Sequence, residues 1–157
     1  PRVAMTDDKP PTRTDVEAAA LTYLARRDHA EGELRKKLRK KDFDDTLIDE
    51  VFDDYRQRGY LDDTRFAVDQ GFILVRKQWG PLQIIRKLRD RGVLQNIIDI
   101  ALTEIELETD WTEVCQARLT SRFTRDPKNL TDKDRQRAYR HLKNRGFPSN
   151  VIHRILW

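Results

Sequence analysis

The stretches RKLRDRGV (86–93) and RHLKNRGF (140–147) follow one plan. Each opens on arginine, carries leucine two places later, and ends in Arg-Gly plus an apolar residue. A third Arg-Gly-apolar tripeptide, RGY, stands at 58–60. Glycine just after an amphipathic run supplies the left-handed residue that closes a helix, so all three mark helix ends. Register decides whether they are copies of one unit. Successive shifts of 50 and 54 residues superpose Leu38, Leu88 and Leu142. The same shifts superpose Phe43, Val93 and Phe147; Leu47, Ile97 and Val151; Ile48, Ile98 and Ile152; Val51, Ala101 and Ile155; and Phe52, Leu102 and Leu156. Six columns are apolar in every row without a gap, the mark of an internal repeat. Gly92 and Gly146 fall in register, with Asp42 in their place in the first row, while Gly59 does not align. Two of the tripeptides are therefore repeat-related, and RGY is the same helix-ending chemistry used elsewhere.

Helical periodicity runs through nearly everything after Thr14, with no alternating β-branched run between turn pairs. Thr14 and Glu17 are spaced as a capping box for the first helix. The break at Asp28-His29 separates it from a second helix over about 30–40, carrying Leu34 and Leu38. Asp44 or Asp45 caps a third, which ends at Arg58-Gly59. Asp62 caps a fourth, ended by Trp79-Gly80, and Pro81 takes the first position of a fifth, where a missing N–H costs nothing. Ile97 to Ile105 form the sixth. Thr109 or Asp110 starts the seventh, Thr131 the eighth and Pro148-Ser149 the ninth. The expected fold is all-α, with three tandem three-helix, helix-turn-helix-like repeats over 14–60, 61–108 and 109–157. Residues 1–13 read as a disordered arm, and Pro1–Ala4, ahead of Met5, as a cloning remnant.

Composition agrees. Of 157 residues, 38% are hydrophobic and 37% charged, which suits small helical units with much surface rather than one large core. The lone Cys115 excludes an internal disulfide framework and points to a reduced, cytoplasmic setting. No apolar run approaches the roughly 20 residues that span a bilayer, and the N-terminus has no apolar segment of a secretory signal.

The net charge of +4 conceals a segregation. Lys36, Arg86 and Arg140 form one column; Arg39, Arg89 and Lys143 a second, three places on and so on the same helix face; Lys41, Arg91 and Arg145 a third. The second helices carry net charges of +4, +3 and +4 over 30–41, 81–91 and 131–145. The third helices oppose them, with seven acidic and no basic residues over 42–54 and four acidic and no basic ones over 94–108. Two readings stand side by side. The basic columns form a surface for phosphates or an acidic protein groove, or they neutralise neighbouring acidic helices and helix dipoles within the stack.

Trp79, beside Arg76, Lys77 and Gly80, could stack on a base or wedge into a partner, but a tryptophan at an interhelix corner more commonly packs there. His29, His141 and His153 lack cysteine or carboxylate partners at metal spacing. Cys115 lies among apolar neighbours with no activating group, and no phosphate-cradling glycine loop is present. The sequence thus offers no catalytic residue, metal site or cofactor motif.

ARRDHAEGELRKKL (25–38), RGYLDDTRFAVDQ (58–70) and KQWGPLQIIRKLRDRGV (77–93) resemble the signature segments of the RecX family, bacterial regulators of the recombinase RecA. The resemblance runs over roughly 14–157 and is looser in the third repeat. It implies an elongated, curved stack of three-helix repeats and a non-enzymatic role. RecX proteins lie in the groove of the RecA–single-stranded DNA filament and inhibit its extension, ATP hydrolysis, strand exchange and co-protease activity. The expected partners are accordingly RecA and single-stranded DNA, within the filament or alone, with the chain a monomer and no membrane involved. Ala30 stands where the family usually has serine, a lost capping hydroxyl expected to cost about 1 kcal/mol at most. Lys36, Arg39, Arg86, Arg89, Arg140 and Lys143 are the expected electrostatic contacts, with Arg76 and Lys77 beside them; the family motif does not itself mark them as binding residues. Two other functions fit three-helix units: a helix-turn-helix regulator reading duplex DNA and a helical protein scaffold.

Overall fold

The structure, a computed structural model, describes residues 9–123 and 126–157. Among them are nine α-helices and no strand. α1 (Arg13–Leu24), α2 (Glu31–Lys40) and α3 (Asp45–Gln57) form the first set. α4 (Asp63–Arg76), α5 (Pro81–Asp90) and α6 (Gln95–Leu107) form the second. The third comprises α7 (Trp111–Arg122), a 3-10 turn at Pro127–Asn129, α8 (Asp132–Asn144) and α9 (Ser149–Leu156).

In each set the first and third helices share the broadest contact, and the second lies against both. The aligned apolar columns build three separate cores. Leu38, Leu88 and Leu142 are buried, as are Ile48, Ile98 and Ile152. A further column, Leu34, Ile84 and Ala138, is fully buried one helical turn earlier. Three residues stitch neighbouring cores together. Leu61 packs into the first, Ala30 of the first set packs into the second, and Trp111 lies against both the second and the third.

The repeated turn after each second helix has one geometry. Asp42, Gly92 and Gly146 adopt left-handed φ values of 64°, 83° and 95°. The next residue's N–H then reaches back to the helix, Phe43 to Leu38 O (3.3 Å), Val93 to Leu88 O (3.1 Å) and Phe147 to Leu142 O (3.2 Å). These are the closing bonds of a Schellman motif. Aspartate tolerates the left-handed region better than most side chains, which is how the first repeat keeps the turn without glycine.

Three local expectations need correction. α1 is capped by Thr12 with Asp15, not Thr14 with Glu17: the Asp15 N–H donates to Thr12 Oγ1 (3.4 Å) and the Thr12 N–H to Asp15 Oδ2 (2.8 Å). The motif Thr-x-x-acid occurs twice in succession, and the earlier copy adds half a turn of helix directly after Pro11. α4 ends at Arg76, and Gln78 (φ 64°), not Gly80, takes the left-handed position; Gly80 is reserved for a contact between repeats. The cap missing at Ala30 is supplied from elsewhere: the Glu31 N–H donates to Asp63 Oδ1 (2.9 Å), 32 residues on. Asp63, the second aspartate of the GYLDD segment, thus ties α4 to the start of α2.

Candidate functional site

The second helices stand head to tail, and this arrangement makes three separate basic helices into one row. At the joint between α8 and α5, the Gly80 N–H donates to Arg145 O (2.8 Å) and the Leu82 N–H to Gly146 O (3.0 Å). Gln83 Nε2 donates to Asn144 O (3.1 Å). The orphan carbonyls ending α8 are thereby satisfied by the orphan N–H groups starting α5, and the opposed dipole ends attract. At the joint between α5 and α2 the backbones of Gly32 and Gly92 touch, so that a Cβ on Gly32 would stand 2.6 Å from Gly92 O. Arg91 Nε reaches Glu33 Oε2 across the same joint (3.2 Å).

The three basic columns have three different fates along this row. Lys36, Arg86 and Arg140 are exposed, and no hydrogen bond or ion pair holds their side chains among the described residues. The column of Arg39, Arg89 and Lys143 points to the first residue of the following helix. Arg39 Nε meets Asp45 Oδ1 (2.8 Å), Arg89 meets Gln95 Oε1 (2.6 Å) and Lys143 Nζ meets Ser149 Oγ (2.8 Å). This column fastens the second helix to the third in every repeat, six residues along. In the third column the cations lie on aromatic rings: Lys41 over Tyr23 (5.2 Å), Arg91 over Phe66 (5.3 Å) and Arg145 over Trp79 (3.5 Å). The second and third columns are thus engaged within the stack, and the first stays exposed and unengaged.

Arg76 and Lys77 are exposed at the end of α4. The Lys77 carbonyl accepts from the Arg145 guanidinium, and Arg145 Nε also donates to Gln78 O (3.2 Å). Lys77 thus borders the α8–α5 joint through its backbone, with Arg76 one residue before it. Trp79 is the wedge of that joint. Arg145 covers its ring and Lys87 Nζ lies 4.1 Å from its centroid, so the ring packs between repeats.

Arg35 shows how the acidic third helix of the first repeat is matched from within. It pairs with Asp49 (2.6 Å) and Asp45 (3.3 Å). Cys115 is fully buried, which pushes its thiol up to about 12. Among the described residues no group of histidine, cysteine and carboxylate side chains could hold a metal ion, and no helix is long and apolar enough to cross a membrane.

A second basic group escaped the sequence reading. Arg122, Phe123, Leu130, Asp134, Arg137, Arg140 and His141 line a concavity of about 450 Å³ between the end of α7 and α8. Arg118 Nε donates to His141 Nε2 (2.9 Å), which fixes that nitrogen as an acceptor and the imidazole as neutral. Burial, then the charges of Arg118, Arg122 and Arg145, hold His141 below the ordinary histidine range. The periodic signal was present in the four-residue spacing of Arg118 and Arg122 and the three-residue spacing of Arg137 and Arg140; the meeting of α7 with α8 that brings them together was not.

Residues 18–54 match the family model described as the first three-helix domain of RecX, a span that lies within α1–α3. A regulatory protein RecX of Pseudomonas putida is 33% identical over 151 residues, covering 92% of this chain and 91% of its relative. That of Pseudomonas fluorescens is 31% identical over 149 residues, covering 92% of each. The fold is also that of RecX from Lactobacillus salivarius, with a TM-score of 0.77 at 23% identity over 92% of this chain and 94% of the other. With repeats, joints and sequence in agreement, the chain belongs to the RecX family of regulatory proteins.

Proposed function

We propose that this chain is a negative regulator of the RecA recombinase, acting in the cytoplasm as a non-enzymatic monomer. It lies along the groove of the RecA–single-stranded DNA filament and opposes filament extension, ATP hydrolysis, strand exchange and co-protease activity. The observation that carries the reading is the exposed column Lys36, Arg86 and Arg140, one unengaged cation per repeat, set in line by the head-to-tail second helices. Each contact is weak alone, but a preorganised array adds them with little further loss of freedom. Arg76 and Lys77 widen the row at its α8–α5 joint. Arg39, Arg89 and Lys143 contribute charge while serving first as ties between helices.

A duplex-reading helix-turn-helix role has less support. Such a module places the start of a recognition helix against base edges. Here the starts of α2 and α5 are occupied by joints between repeats, and the third helices of the first two sets are acidic. The test is ATP hydrolysis by RecA filaments on single-stranded DNA, titrated with the wild-type chain, a Lys36→Glu/Arg86→Glu/Arg140→Glu variant and an Arg39→Gln/Arg89→Gln variant. The first variant should lose inhibition while remaining folded, and the second should keep most of it. Equal inhibition by wild type and first variant removes the outer column from the site; no inhibition by the wild-type chain removes the regulator.

A further inference from the structure

The outer face of α6 is unlike that of α3, its counterpart in the first repeat. α6 packs mainly on α4 and α5, yet it carries Ile100 and Leu107, 52% and 82% exposed. Seven residues make about two helical turns, so these two side chains stand one above the other, with Thr103 between them. Asp99 and Glu106 line one flank of this seam and Glu104 the other, with Glu108 beyond it, and all of them are exposed. The spacing is that of a helix that pairs with a second helix: apolar residues at the a positions (Ile100, Leu107), charges at g (Asp99, Glu106) and e (Glu104). Packing within the repeat does not require it. A shift of 50 residues places Glu50 and Gln57 of α3 where α6 has Ile100 and Leu107, and α3 packs on α1 and α2 as α6 does on α4 and α5. The charges differ too. Acids of α3 are matched from within, Asp49 by Arg35 (2.6 Å), Asp53 by Arg56 (2.6 Å) and Asp54 by Arg58 (3.0 Å). On α6 the Asp99 carboxylate accepts from the neutral Gln95 amide (2.8 Å), and Glu104, Glu106 and Glu108 have no cation partner among the described residues.

We infer that the outer face of α6 is a docking surface for a protein partner that presents a basic amphipathic helix, its apolar residues meeting Ile100 and Leu107 and its lysines or arginines meeting Asp99, Glu104 and Glu106. Charge decides the occupant. Uncompensated carboxylates repel the phosphates of nucleic acid and of anionic lipid headgroups, which leaves the seam to a cationic polypeptide. Burial of the isoleucine and leucine supplies attraction, and the flanking charges select the sign of the partner and its register. The cationic row lies on the second helices and this face on the third helix of the second repeat, so the chain carries two surfaces of opposite charge. The inference goes beyond the filament reading and does not depend on it.

The measurement is fluorescence anisotropy of a labelled synthetic helix about three heptads long, with leucine at a and d and lysine at e and g, titrated with the full chain in the absence of RecA and DNA. The chain's net charge of +4 works against binding of such a peptide elsewhere on its surface. The lysine peptide should bind, and a scrambled peptide of the same composition should bind about tenfold more weakly. Ile100→Asp/Leu107→Asp should weaken binding by about tenfold, and Glu50→Lys on α3 should leave it unchanged. Glu104→Lys/Glu106→Lys should lose the lysine peptide and take up the matching peptide with glutamate at e and g, a gain that a misfolded variant does not show. No binding of the lysine peptide, equal affinity for the scrambled one, unchanged binding by Ile100→Asp/Leu107→Asp, or no exchange of preference in Glu104→Lys/Glu106→Lys would overturn the docking surface. So would sedimentation of the chain alone as a dimer that Leu107→Asp dissociates, since a second copy would then cover the face. RecA is absent throughout, so failure here leaves the filament reading standing.

Discussion

Replacing Gly80 with alanine tests whether the row depends on the joint between α5 and α8. Gly80 has φ −82°, which alanine adopts without strain, so backbone freedom is not what this position needs. Room is. An added Cβ would stand 2.4 Å from Gly146 C and 2.5 Å from both Gly146 O and Phe147 N, backbone atoms that cannot rotate aside. Relief requires sliding α5 away from α8, which breaks the bonds from Gly80 to Arg145 (2.8 Å) and from Leu82 to Gly146 (3.0 Å). Overpacking costs about 1–3 kcal/mol and a buried donor left unmade about 1–3 more, against about 0.5 kcal/mol gained in the unfolded chain. Gly80→Ala should therefore lose about 2–5 kcal/mol. Gly59 gives the opposite control: its φ is +77° and nothing lies within 4 Å of an added Cβ, so Gly59→Ala should lose only the left-handed strain, about 1 kcal/mol. Urea unfolding followed by circular dichroism reads both, and filament inhibition under native conditions should fall more in Gly80→Ala. A Gly80→Ala chain within about 0.5 kcal/mol of wild type, or less affected than Gly59→Ala, would refute the joint as described.

Asp63 makes a pH prediction. Burial pushes its carboxyl up to about 6, against the pull of the Glu31 N–H and with the Glu31 charge adding. Between about pH 4 and 6 the folded chain keeps a proton that the unfolded chain releases, so this group's contribution falls as pH rises, by about 2–3 kcal/mol in all. Asp63→Asn, which keeps the acceptor and cannot ionise, should be flat across that window in pH-dependent urea midpoints, and Asp63→Ala should lose the cap, about 1 kcal/mol. Single alanine substitutions at Arg39, Arg89 or Lys143 should each leave the melting temperature little changed, because the ties they make are exposed; thermal melts check this. Cys115 should resist a thiol reagent at pH 8 in the folded chain and react once denaturant is added, since burial keeps the thiol protonated.

Much of this was legible in the residues. Leu102 apart, the residues of the six apolar columns became the cores because a period near 3.6 fixes which side chains share a face. The helix ends at Gly59, Gly92 and Gly146 were readable because few other residues enter the left-handed region cheaply. Local signals misled where they were degenerate: Thr12 and Thr14 offer the same capping pattern, and Trp79-Gly80 resembles a helix stop although Gln78 makes the turn. The cap on α2 was invisible, since its acceptor lies on Asp63, 32 residues away.

The sequence by itself determined the all-α repeat, its register and the presence of three basic columns on the second helices, because all of these follow from spacing along one chain. Only the tertiary structure decided which column is available. Arg39, Arg89 and Lys143 lie on the same helix face as Lys36, Arg86 and Arg140, yet the start of each third helix engages one column and leaves the other unengaged. The continuity of the row was likewise decided in three dimensions, because the groups that join α8 to α5 and α5 to α2 are backbone atoms, which every residue carries and no sequence pattern distinguishes.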